Sequence, residues 1–99
     1  MQVLIEELTR RWRQMFDALA AGDDLPPGSR LRAEGMMESL LLLGSSSEAE
    51  VDAAMDACYQ AAFGRSLAAD FGEDWRDFYP FPQIPAVARR APVFPSTSD

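Results

Sequence analysis

The stretch Ile5-Glu6-Glu7-Leu8-Thr9-Arg10-Arg11-Trp12-Arg13-Gln14-Met15-Phe16-Asp17-Ala18-Leu19 decides the fold class. Apolar side chains recur at Ile5, Leu8, Trp12, Met15 and Leu19, an alternating three-and-four spacing. Such spacing keeps a single apolar stripe on one face of a helix. Leu4 and Phe16 widen the stripe, and Gly22 follows as a C-cap, so the pattern predicts a helix over residues 2–21.

Beyond it, Asp23-Asp24-Leu25-Pro26-Pro27-Gly28-Ser29 reads as a turn by its Pro, Gly and Asp content. A second helix is expected over 29–43, with Ala33, Met36, Met37, Leu40 and Leu41 on its face and Gly44 as its stop. Gly35 inside it costs about 1 kcal/mol against Ala, and predicts a tight helix crossing. Ser47 with Glu50 fits a capping box, in which each side chain satisfies the other's backbone N–H. A third helix is therefore expected over 48–63, with Val51, Met55, Cys58 and Ala62 as its stripe and Gly64 as its stop. Residues 66–78 read as one or two short helical turns broken at Gly72.

Five of the seven prolines lie between Pro80 and Pro95. Proline removes a backbone donor and restricts the residue before it, so residues 80–99 are expected to be extended or polyproline-like. The expected architecture is all-α: a small three- to four-helix domain over 1–79, and an extended Pro-rich tail over 80–99 packed on that domain or on a partner. Phe81, Ile84, Val87, Val93 and Phe94 make the tail too apolar for a solvated linker. Its two Pro-x-x-Pro motifs, Pro82–Pro85 and Pro92–Pro95, also suit docking into an aromatic groove.

Ninety-nine residues allow one domain, and 47% hydrophobic content suits a folded chain. The formal charge of −7 argues against nucleic acid and against an anionic membrane surface, both of which call for basic faces. Most of the acidity lies in 44–77, where eight acids meet two arginines. No apolar run approaches the roughly 20 residues a membrane span needs. The N-terminal residues lack the basic and apolar regions of a signal peptide, and one cysteine excludes an internal disulfide, so a cytoplasmic protein is expected.

Catalytic equipment is sparse. With no histidine and no lysine, the chain lacks the common general base, His-dependent triads, His-ligated zinc, Schiff-base chemistry and a phosphate-loop lysine. No catalytic residue, cofactor site, metal site or small-molecule substrate is assigned. Cys58 falls on an apolar stripe and reads as a small buried hydrophobe. Glu48, Asp52 and Asp56 share one helix face, which suits a solvated surface, a weak divalent-ion site or an acidic patch. Asp52 and Asp56 are the candidates for an enzyme working with carboxylates alone. Arg10, Arg11 and Arg13 either pair with Glu6, Glu7 and Asp17 or grip an acidic partner. Five aromatics crowd Phe71–Phe81, a mixture with Arg that suits either a binding hot spot or a staple for the tail.

The helical region carries more large apolar side chains than a three-helix core needs. Met36-Met37-Glu38-Ser39-Leu40-Leu41-Leu42-Leu43 is apolar around most of the helix, and such a helix is buried on more than one side. The surplus predicts a non-enzymatic protein that binds another protein or a second copy of itself. Its expected partner-binding residues are Leu8, Trp12, Met36, Met37, Leu40, Leu41 and Trp75. Together with the first-helix stripe and Phe81-Pro82-Gln83-Ile84-Pro85, this profile resembles the small, acidic, mostly helical bacterial antiactivators of LuxR-type quorum-sensing receptors. The resemblance implies a helix, the first or the second, laid on the dimerisation surface of a transcription regulator. A dimeric chaperone or structural subunit of a bacterial complex is the alternative.

Overall fold

The computed structural model describes residues 2–85, which form five helices and no strand. In order these are α1 (Gln2–Ala20), α2 (Pro27–Leu42), α3 (Glu48–Phe63), α4 (Leu67–Phe71) and α5 (Trp75–Phe78). The described residues are all-α, as the periodicity predicts.

The stops follow from local chemistry. After α1, Gly22 takes a left-handed φ of 89° while its N–H reaches Leu19 O and that of Asp23 reaches Ala18 O. Gly44 ends α2 the same way at φ 71°, with Ser45 N–H bonded to Leu40 O. Both are Schellman closures, in which a residue lacking Cβ takes the left-handed position at no steric cost. At the head of α3 the capping box is complete: Ser47 N–H donates to Glu50 at 2.8 Å and Glu50 N–H donates to Ser47 Oγ at 3.2 Å. The start of α2 differs from the expected Ser29. Pro27 opens the helix, because a proline at the first position lacks only a donor that has no helical partner there.

α1 is the central element. Both α2 and α3 pack on it, while α2 and α3 touch each other at most marginally. Leu8, Trp12, Met15, Phe16 and Leu19 of α1 meet Ala33, Met37 and Leu40 of α2 on one side. On the other they meet Val51, Met55, Cys58 and Tyr59 of α3, where Phe16 makes an edge-on contact with Tyr59 at 5.3 Å.

What lies between α2 and α3 is the chain beyond α5. Ile84 is fully buried in the same core. Its N–H donates to Glu34 of α2 at 2.9 Å, while the carbonyl of its neighbour Gln83 accepts from Arg76 at 2.7 Å, and Arg76 grips Asp52 of α3. Residues 75–85 thus form a strap that bridges the two outer helices. Within it Pro80–Gln83 is a turn, closed by Gln83 N–H onto Pro80 O around a cis Phe81–Pro82 bond, where an extended run is expected from composition. A turn of this kind accommodates proline at its third position, so proline content alone does not decide between turn and extension. The rest of the expected tail, 86–99, including the second Pro-x-x-Pro motif, lies outside the described residues.

Gly35 corrects another expectation. It is exposed, and a Cβ placed on it meets nothing within 4 Å, so no helix among the described residues crosses there.

Candidate interaction surface

The seven residues expected at a partner face divide by depth. Leu8, Trp12, Met37 and Leu40 are closed into the core of this chain. An apolar helical stripe reports a face that wants cover and does not say which chain supplies it; α1, α2, α3 and the strap cover one another. Met36 and Leu41 are half-buried at the edge of the core. Trp75 is half-buried as well, with the Arg76 guanidinium 4.3 Å from its ring centre. The contacts support the staple reading for Phe71, Trp75, Tyr79 and Phe81, while Phe78 is 69% exposed.

What α2 leaves outside is different. Leu31 and Leu43 are each 57% exposed and Leu42 is 82% exposed. Leu31, Gly35, Glu38 and Leu42 follow a four-three-four spacing, so they line the stripe opposite the buried Ala33–Met37–Leu40 face. Leu42 and Leu43 are adjacent at the end of this helix. Exposed Val3 opens α1. The short connection between α1 and α2 brings the start of one to the same end as the finish of the other.

That end is acidic. Residues 2–8 and 36–52 contain no arginine, and among the described residues none of the ion pairs involves Glu6, Glu38 or Glu48. The last turn of α2 holds no basic side chain, so its carbonyl end adds partial negative charge beside Leu42.

Of the stripe Glu48–Asp52–Asp56, the last two serve the fold. Asp52 takes a two-pronged bond from Arg76, at 2.6 and 3.0 Å. Asp56 accepts Leu67 N–H at 2.7 Å and an amide of Gln60. Among the described residues no three Cys, Asp or Glu side chains converge as a metal site. Asp70 likewise holds the Tyr59 hydroxyl at 2.6 Å and the Arg65 guanidinium. Sequence reading passes over Glu34, the buried carboxylate that fixes the strap, because its partner Ile84 is distant along the chain; an acid beside Ala33 on a core-facing stripe is the signal that could find it.

Of the arginines on α1, Arg10 and Arg11 both bond Glu7, which holds that carboxyl below its ordinary range, chiefly through the hydrogen bond from Arg10. Arg13 lies near Cys58, yet burial dominates and pushes the thiol up. A shallow groove at the α1–α2 turn brings in one charged side chain, Arg11, already paired with Glu7. No protein-family model, curated protein or solved structure matches this chain.

Proposed function

We propose that this chain is a non-enzymatic regulatory protein that works by binding another protein, as an antiactivator that occupies the dimerisation surface of a transcription regulator. The observation that carries the reading is Leu42 and Leu43, adjacent and open to solvent at the end of a helix whose inner face is already satisfied. Single exposed leucines are ordinary; two adjacent ones at a helix end, with Leu31 separately exposed further back on the same stripe, support a contact site. The absence of histidine and lysine and the use of Asp52, Asp56 and Asp70 in structural bonds support a binding role over catalysis. The resemblance to antiactivators nominates a LuxR-type regulator, and a cytoplasmic site of action goes with it.

The test is co-expression with LuxR-type regulators, followed by light scattering. Binding should convert the regulator dimer to a heterodimer, and Leu42→Arg with Leu43→Arg should abolish the complex while circular dichroism stays unchanged. Regulators that stay dimeric in its presence would overturn the antiactivator reading. A double variant that binds as the parent does would overturn the surface.

A further inference from the structure

We infer that the Leu42–Leu43 end of the molecule receives an amphipathic helix whose apolar face is flanked by lysine or arginine. This rests on the protein-binding reading and specifies the chemistry of the partner. Leu42 and Leu43 present adjacent branched apolar side chains to solvent, and an amphipathic helix supplies the apolar ridge that would cover them. At the same end of the bundle stand Glu38, one turn before Leu42, with Glu48 opening α3 and Glu6 in the first turns of α1, all exposed and outside every ion pair among the described residues. The carbonyl end of α2 adds to the same sign.

Charge selects the occupant. A second copy docked face to face on this end places each of these glutamates against an identical rim, and like charges across an interface oppose association. The same rim attracts a basic flank, sets its register and speeds its encounter. The acids elsewhere on α3 differ, because Arg76 neutralises Asp52 and backbone and amide donors occupy Asp56.

The experiment uses the full chain and two synthetic peptides of about five helical turns, both with leucine along one face, one flanked by lysine and the other by glutamate. Binding is read by fluorescence anisotropy and mapped by leucine methyl shifts in NMR. The lysine peptide should bind saturably, move the Leu42 and Leu43 methyls and weaken as salt rises. Leu42→Gln with Leu43→Gln should weaken it about tenfold or more, and Glu38→Gln with Glu48→Gln several-fold. Equal binding of the glutamate peptide, or shifts that map elsewhere, overturns the inference. So does a free chain that sediments as a dimer through these leucines, or one in which cutting after Pro85 uncovers them, since the occupant is then a second copy or the chain's own end. Because no regulator takes part, failure of the antiactivator reading leaves this result intact, and a failure here leaves the regulator experiment to be decided by itself.

Discussion

At the scale of single residues, Gly35 departs from the expectation and Cys58 keeps to it. Gly35 sits in mid-helix with open space where a side chain would go. Gly35→Ala should therefore stabilise the fold by about 0.5–1 kcal/mol, through lower backbone entropy in the unfolded chain, visible as a raised urea midpoint at constant slope. An unchanged or lowered midpoint would mean that the exposed backbone there has a contact to lose. Cys58 is buried and its thiol is pushed up by desolvation. Since the folded thiol titrates higher than the unfolded one, its contribution is fully present below about pH 8.5 and is lost as pH rises above it. The parent should lose stability through that range and Cys58→Ala should lack that increment. Iodoacetamide should label the native thiol at least about a hundredfold more slowly than the urea-unfolded one. The burial of Cys58 was legible from its stripe. The nearby Arg13 was not, because that cation comes from another helix.

At the scale of elements, the boundaries of α1 and α3 were readable because their signals are local: a Schellman glycine for one and a capping box for the other. The inner and outer faces of α2 were not. Leu31, Met36, Met37 and Leu40 to Leu43 point all round, so periodicity could not say which leucines face α1. The structure separates them, and paired variants make the separation measurable. Leu40 is 1% exposed, so Leu40→Arg buries an unpaired charge and should leave the chain unfolded or cost at least about 3 kcal/mol. Leu42→Arg changes a solvated position and should stay within about 0.5 kcal/mol of the parent. Thermal melts of both proteins check this, and equal losses would place Leu42 inside the fold.

For the whole molecule, the strap is the feature that composition hid. Five aromatics and three prolines between Phe71 and Pro82–Pro85 read as a staple or as a hot spot, and only long-range partners decide. Arg76 joins Asp52, the carbonyls of Tyr79 and Gln83, and the rings of Trp75 and Phe81, so one planar cation ties strap to body. A lysine keeps the charge without the fork or the flat face. Arg76→Lys should cost about 1–2 kcal/mol. Ile84→Ala removes a fully buried side chain from the core and should cost about 2–4 kcal/mol. The two losses carry different information. If the strap folds with the helices as one unit, each variant shifts a single cooperative transition, seen equally by helix signal and by Trp75 fluorescence. If it docks on a body already stable alone, the Trp75 signal should move first while the helix signal holds. Coincidence is the expected outcome, because α2 and α3 touch each other so little and the strap bonds both, through Ile84 N–H to Glu34 and Arg76 to Asp52.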